Sequence, residues 1–313
     1  MSRFDDAFSQ NKHLVLDGSM GTELERRGYD VNDALWSAKF LAKDPAAIEQ
    51  IHYDYLEAGA DIITCASYQA SIPGFTKAGY TEKEAEELIA KSIRLVLDAR
   101  KKWWNEEGRK TGRPYPLAAG DIGPYGAYLA DGSEYTGAYE LTEAEYRDFH
   151  LRRMEILKDH GADIFAVETC PRLDEAVTCA KMLDELGSDY WISFTFRDPR
   201  HISDMTDIEE VCRHLNGFSH LKAIGVNCTP PEIVAAIIAN YKKYTDLPII
   251  VYPNSGEVYD GGSKTWHGSP DGLCFTDRLP GWIEAGAGIV GGCCRTRPSD
   301  IRRVAELFKK ATL

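Results

Sequence analysis

Eight short runs rich in apolar and β-branched residues recur along the chain with amphipathic stretches between them, which is the pattern of repeated βα units around a parallel sheet. They fall near residues 13–16, 61–65, 117–119, 163–167, 191–196, 223–226, 249–252 and 288–290. Helical stretches are expected at 46–58, 82–104, 143–160, 173–186, 208–218, 231–244, 279–285 and 298–310. Eight such units suit a closed (β/α)₈ TIM barrel, class α/β, as a single domain over 1–313 with its core at about 13–311. Three segments, Glu57-Ala58-Gly59-Ala60-Asp61, Asp159-His160-Gly161-Ala162-Asp163 and Glu284-Ala285-Gly286-Ala287-Gly288, repeat one device. In each, glycine closes a helix and the chain turns directly into the next strand. Thr142 before Glu145 predicts a capping box, and Pro298 predicts a first helical turn.

A doubly wound open sheet is the competing fold, and Gly286-Ala287-Gly288-Ile289-Val290-Gly291 spells the dinucleotide glycine pattern. Its context is wrong, because that fingerprint must leave a strand and open a helix, whereas these glycines leave a helix and enter a strand. The length beyond a minimal barrel sits at 17–45, 125–141 and 254–278, each after a strand C-terminus, the face where such barrels do their chemistry.

Cys228 ends the sixth run, and the adjacent Cys293 and Cys294 end the eighth, so three thiols are expected where buried strands emerge. Structural zinc sites are closed by four protein ligands, whereas three soft ligands leave a fourth position for another molecule. Thiolates make such a site a poor activator of water and a good holder of a thiol. The alternative is that these are ordinary buried cysteines. Successive strand residues face opposite ways, so Cys293 and Cys294 can share one ion only where the strand breaks, and Gly291-Gly292 is expected to supply that freedom. Lacking a metal, the three thiols should oxidise, with Cys228 bridging Cys293 or Cys294. Cys65, Cys170, Cys179, Cys212 and Cys274 are expected to be structural.

The chain carries 36 basic against 49 acidic residues, a formal charge of −13, which argues against nucleic acid or an anionic membrane as partner and is compatible with a cationic substrate. No apolar run approaches a membrane span and the start has no signal-peptide character, so a cytoplasmic location is expected. The last residues of the eight strands bring Asp17-Gly18, Ser67-Tyr68-Gln69, Asp121, Glu168-Thr169, Arg197-Asp198, Asn227-Cys228, Asn254-Ser255 and Cys293-Cys294 to one rim. Glu168 stands out, since glutamate is no turn former and a carboxylate at a barrel mouth is costly to desolvate unless it meets a cation such as an α-amino group. His52, His150, His160 and His214 fall on helices and are expected to face solvent.

The motifs Asp17-Gly18-Ser19-Met20-Gly21-Thr22-Glu23-Leu24, Glu168-Thr169, Gly225-Val226-Asn227-Cys228 and Gly291-Gly292-Cys293-Cys294-Arg295, in this order, resemble the homocysteine S-methyltransferase family. The resemblance implies a zinc-dependent barrel with Cys228, Cys293 and Cys294 as the Zn2+ ligands, Asp17 and Gly18 holding the backbone groups of homocysteine, and Glu168 its ammonium. Leu35-Trp36-Ser37-Ala38, Ala66-Ser67-Tyr68-Gln69-Ala70, the stretch from Gly123 to Tyr135 and Val251-Tyr252-Pro253-Asn254-Ser255-Gly256-Glu257 look like the branch that takes its methyl group from S-methylmethionine. Such a sulfonium favours electron-rich rings, for which Trp36, Tyr68, Tyr125 and Tyr128 are the candidates. Asn227, beside a ligand, is expected to orient the metal site. Betaine as donor is the alternative within the family. A zinc hydrolase on the same barrel would need histidine or carboxylate ligands that the chain does not pattern, and folate-linked transfer lacks its Asp-x-His-x-x-Gly segment.

Overall fold

In the computed structural model, which describes residues 2–32, 34–260, 265–268 and 273–311, the eight parallel strands are β1 (Leu14–Val15), β2 (Ile62–Thr64), β3 (Leu117–Ile122), β4 (Ile164–Cys170), β5 (Tyr190–Phe194), β6 (Leu221–Asn227), β7 (Ile249–Tyr252) and β8 (Ala287–Val290). Each pairs with its sequence neighbour from β2 round to β8, and β8 pairs with β1. The ring closes between β1 and β2 through the parallel bridge Leu16–Ile62, with Asp17 N–H donating to the Ile62 carbonyl at 3.1 Å and Asp61 N–H to that of Val15 at 2.7 Å. The expected barrel is present.

After each strand in turn come the helices α1 (Pro45–Ala58), α2 (Glu82–Glu106), α3 (Glu143–Asp159), α4 (Leu173–Glu185), α5 (Ile208–Leu215), α6 (Val234–Tyr241), α7 (Phe275–Ala285) and α8 (Pro298–Ala311). The α3 capping box joins Thr142 and Glu145 as expected, and Gly59, Gly161 and Gly286 all take positive φ at helix ends. α7 begins four residues before its expected start, because Pro280 reads as a helix breaker yet lies inside it. Shorter helices fill the loops, at Met20–Arg26, Ile72–Lys77 and Tyr125–Leu129. The 254–278 insertion carries a two-stranded antiparallel ribbon, Val258–Asp260 with Thr265–His267, and lies partly outside the described residues.

Strand alternation builds the barrel interior. Leu14 and Leu16, Ile62, Leu117 and Ala119, Ile164 and Ala166, Trp191, Ala223, Ile250 and Ile289 form one buried cluster inside the ring. The helix Arg3–Asn11 stops its N-terminal end, with Phe4 and Ala7 in that cluster. Continuing the period of two toward the strand C-termini, the next inward positions are Thr64, Asp121, Glu168, Ser193 and Tyr252, with Asn227 following Gly225 on β6. The interior therefore turns from apolar to polar within one residue pair, and that step is the floor of the site. No described helix is long and apolar enough to cross a membrane.

Candidate functional site

Above this floor lies a cavity of about 430 Å³, lined by Asp17, Gly18, Trp36, Thr64, Tyr68, Asp121, Glu134, Tyr135, Glu168, Thr169, Tyr252 and the three cysteines among others. The Sγ atoms of Cys228, Cys293 and Cys294 all lie within 4.8 Å of one another, and among the described residues no other three His, Cys, Asp or Glu side chains converge so tightly. Cys228 and Cys293 are joined as a disulfide, with Cα atoms 5.5 Å apart, and Cys294 Sγ lies 4.0 Å from Cys228 Sγ. Of the two candidate partners for Cys228, the bridge takes Cys293.

The thiols are placed by backbone bonds that lace the ends of β6, β7 and β8. Cys228 N–H donates to the Tyr252 carbonyl at 3.3 Å, Cys293 N–H to that of Pro253 at 2.9 Å, and Ser255 N–H to that of Cys294 at 3.0 Å. Cys228 sits at φ 45°, a left-handed conformation that costs a non-glycine residue about 1–3 kcal/mol and turns its side chain out of strand register. Gly291 and Gly292 do not serve as a flexible hinge, since neither has positive φ. They are needed for close approach instead. A Cβ on Gly291 would lie 2.6 Å from Leu16 Cβ and 2.7 Å from the Asp17 carbonyl, and one on Gly292 would lie 2.3 Å from Thr296 Oγ1. That contact lets Gly292 N–H donate to the Asp17 carbonyl at 3.0 Å, tying the cysteine turn to the β1 exit.

Asp17, 4% exposed, accepts from the Thr64 N–H at 2.9 Å and from its hydroxyl at 3.1 Å. Burial raises its pKa well above the carboxylate range, and the nearby Glu168 adds to the effect. Burial likewise pushes Glu168 up to about 7, against a hydrogen bond from Tyr252. Asp121 is raised by burial and then by Glu168. Gly18 is tight: a Cβ there would meet Tyr55 Oη at 2.9 Å. Trp36 and Tyr68 line the cavity as an edge-on pair with centroids 6.2 Å apart.

Asn227 lies behind the cavity wall, fully buried. Its Oδ1 accepts from Thr169 N–H at 2.8 Å and Ser193 Oγ at 2.9 Å, and its Nδ2 donates to Thr169 Oγ1 at 2.7 Å. It thereby fixes Thr169, itself at φ 59°, and the peptide following Glu168, rather than the sulfur atoms. Tyr125 and Tyr128 do not line the cavity. Tyr125 packs against Tyr128, Tyr139 and Phe149 at centroid distances of 5.5, 5.7 and 5.0 Å, and Tyr128 against Phe149 at 5.5 Å. The rim residues Arg197, Asp198, Asn254 and Ser255 also stay off the cavity; strand β7 contributes Tyr252 in their place.

Two of the histidines expected at the surface are buried. His52 is fully enclosed, and that burial lowers its pKa to about 3. His150 lies between Glu175, at 2.8 Å from Nε2, and Arg153, at 2.9 Å from Nδ1. Since a guanidinium can only donate, Nδ1 accepts and Nε2 carries the proton toward Glu175. His160 and His214 are exposed as expected. Of the other cysteines, Cys65, Cys170, Cys179 and Cys212 are buried, and Cys274 is exposed at the start of α7.

Glu134, Tyr135 and Tyr252 are lining residues that reasoning from chemistry did not single out. Tyr252 was findable, because an apolar strand whose inward alternation ends in a tyrosine places a hydroxyl at the barrel mouth. Glu134 and Tyr135 come from a loop with no periodic signal.

Three comparisons bear on identity. The homocysteine S-methyltransferase family model matches residues 14–308. The homocysteine S-methyltransferase YbgG of Bacillus subtilis (strain 168) is 46% identical over 293 residues, covering 93% of each chain, and the homocysteine S-methyltransferase of Escherichia coli (strain K12) is 44% identical over 290 residues, covering 92% of this chain and 93% of its own. Crystal structures of the homocysteine methyltransferase MmuM from Escherichia coli match with TM-scores of 0.87 for an oxidised form and 0.86 for a metallated form, at 40% identity, covering 96% of this chain and 97% and 98% of theirs. The chain belongs to the homocysteine S-methyltransferase family, enzymes that transfer a methyl group to the thiol of homocysteine.

Proposed function

We propose that this enzyme uses a zinc ion held by Cys228, Cys293 and Cys294 and takes the methyl group from S-methylmethionine, giving two molecules of methionine. The observation that carries the reading is three converging thiols at the edge of a cavity lined by four carboxylates and by no described lysine, arginine or histidine. The donor set fits the ion. Zinc–thiolate bonds of about 2.3 Å in a tetrahedron put the sulfur atoms about 3.8 Å apart, close to the 4.0 Å between Cys228 and Cys294. The Cys228–Cys293 disulfide must be reduced first, since only thiolates are ligands. That MmuM, 40% identical, has a metallated form supports a metal in this enzyme.

When bound there, the ion is a Lewis acid that keeps a coordinating thiol ionised at neutral pH. Free homocysteine has a thiol pKa near 8.5, as cysteine does, and would otherwise be mostly protonated. Its sulfur uses a lone pair to form the bond to the methyl carbon, and the carbon–sulfur bond of the sulfonium breaks with its electron pair going to the departing methionine. The protein's part is to hold acceptor sulfur, methyl carbon and leaving sulfur in line, an arrangement that can remove about 7–11 kcal/mol of barrier. Asp17, Gly18 and Glu168 position the acceptor, Glu168 through its ammonium. Trp36 and Tyr68 offer ring faces to the sulfonium, a contact worth about 0.5–2 kcal/mol. An acidic cavity suits a donor with two cationic groups and opposes a polyanionic folate. Thiolate ligands also suit a reducing compartment, which makes the cytoplasm the proposed location.

A donor panel tests the reading. Methionine formation from homocysteine by the reduced, zinc-loaded enzyme is followed with S-methylmethionine, S-adenosylmethionine, betaine and methylfolate. S-methylmethionine is expected to give the highest kcat/KM; a higher value with betaine overturns the proposed donor, and full activity after complete zinc removal overturns the proposed metal.

A further inference from the structure

Asp121 takes no part in the chemistry above, yet it lines the cavity with a carboxyl group that makes no side-chain hydrogen bond. It sits on the inward face of β3, 5% exposed, and its Oδ1 is buried with no hydrogen-bond partner. Its main chain is pinned from both sides, with N–H donating to Cys65 Sγ at 3.4 Å and the carbonyl accepting from Ser67 Oγ at 2.6 Å, so the side chain is held toward the cavity rather than free to swing away. The other acids differ. Asp17 is satisfied by Thr64, Glu168 meets the Tyr252 hydroxyl, and Glu134, whose Oε2 also lacks a partner, is half-buried on the loop after β3 rather than on a barrel strand.

Arg153 is the cation beneath this wall, but its Nη atoms are committed elsewhere, to the carbonyls of Ser67 at 3.4 Å, Tyr68 at 3.3 Å and Gly123 at 2.9 Å and to His150 at 2.9 Å. Arg153 therefore attracts this carboxyl without bonding it; burial favours the neutral acid in the ligand-free protein, and an arriving cation would let it ionise in place. Strand pairing sets Asp121 beside Ala166, one inward position below Glu168 on the adjacent strand, so the two carboxylates flank one region of the floor.

We propose that Asp121 is a substrate-anchoring residue which, together with Glu168, takes the α-ammonium group of an amino-acid substrate at the floor of the cavity. Homocysteine and S-methylmethionine both carry that group, and the assignment to the second rests on the proposed donor. Each substrate has a counterpart lacking only the amine: 4-mercaptobutyrate for homocysteine, and (3-carboxypropyl)dimethylsulfonium for S-methylmethionine.

Dissociation constants of all four are measured calorimetrically on the reduced, zinc-loaded enzyme, for wild type, Asp121→Asn and Asp121→Ser. The wild type is expected to prefer the amine-bearing member of at least one pair by roughly 10- to 100-fold, and the variants to shrink that preference to within about threefold while binding the des-amino member as before. The pair in which the preference shrinks identifies the source of the ammonium. A preference undiminished in both pairs overturns the proposal, as does a wild type with no preference in either. Should Asp121→Asn not fold, Asp121→Ser, smaller and also uncharged, decides alone. If the wild type does not bind S-methylmethionine, the proposed donor fails, and the homocysteine pair still decides the role of Asp121.

Discussion

At the residue scale, function and stability pull Glu168 in opposite directions. Burial pushes its carboxyl up to about 7 from an ordinary 4.5, so the folded protein favours the protonated form. The contribution to stability is therefore complete below about pH 4.5 and is lost as pH rises through 7, because ionising the folded group then costs more than ionising the unfolded one. Glu168→Gln keeps the shape and the Tyr252 hydrogen bond without the charge. At pH 8 it is expected to stabilise the ligand-free protein by about 1–3 kcal/mol and to weaken homocysteine binding roughly 10- to 100-fold. The two readouts are a thermal melt and a binding isotherm; a Tm at pH 8 equal to or below that of the wild type would refute the stability half.

Glu168 was conspicuous in the sequence because glutamate is no turn former and here directly follows four apolar residues, and the cysteines likewise end apolar runs. It could not separate Tyr68 from Tyr125 and Tyr128. All three are aromatic residues in loops after strands, and which of them faces the cavity depends on how Tyr139 and Phe149 enclose Tyr125, a tertiary contact with no local signal.

At the scale of elements, the helices do more than cover the barrel. Glu175 on α4 accepts from the Tyr125 N–H at 2.6 Å and from His150 on α3 at 2.8 Å, and His150 accepts from Arg153, whose other bonds hold the carbonyls of Ser67, Tyr68 and Gly123. A buried chain of polar groups thus runs from two helices to the exits of β2 and β3, where Tyr68 and Asp121 enter the cavity. Breaking one member of such a chain leaves its partners buried and unmatched, which typically costs about 3–5 kcal/mol. Glu175→Ala is expected to lose that much in urea-induced unfolding, and to raise KM more than it lowers kcat, since it disturbs the wall of the site but no reacting group. A loss below about 1 kcal/mol, the net worth of a single ordinary hydrogen bond, with unchanged KM would count against the chain as a support.

This network escapes a reading of helix periodicity for a physical reason. His150 and Arg153 are three apart on one face of α3, and polar residues at that spacing normally mark the solvated side. Only the presence of Glu175 on the next helix makes burial tolerable, and pairing between helices is invisible to a pattern taken along one of them. Strands are more legible, because the apolar interior of a parallel barrel writes itself directly into short β-branched runs. Even so, β3 runs to Ile122 rather than ending near 119, so Gly120 and Asp121 lie inside the strand and not just beyond its end. Gly120 instead makes room for Phe165, which a Cβ there would approach to 3.1 Å.

At the scale of the whole molecule, barrel closure is what makes the site. Cys228 and Cys293 are 65 residues apart in sequence, and they meet because β6, β7 and β8 are adjacent staves whose ends are cross-bonded. The same closeness gives the three thiols two mutually exclusive fates. As thiolates they can share one thiophilic ion, whereas with Cys228 and Cys293 joined only Cys294 remains to bind, and a single thiolate with no partners is a weak ligand set. Metal removal under air is therefore expected to convert three titratable thiols at this site to one, with a Cys228–Cys293 crosslink found by mass spectrometry of the unreduced digest. The product should be unable to take up zinc until a dithiol reductant is added, after which one equivalent per chain and methyl transfer return together. Cys294→Ser separates the two fates: it should still form the crosslink yet lose tight zinc binding, because the crosslink needs two sulfur atoms and the ion needs all three. Were that variant to hold zinc as tightly as the wild type, Cys294 would not be a ligand and the three-thiol site would fall. If the wild type kept all three thiols free after stripping and aeration, the shared geometry of the two states would be wrong instead.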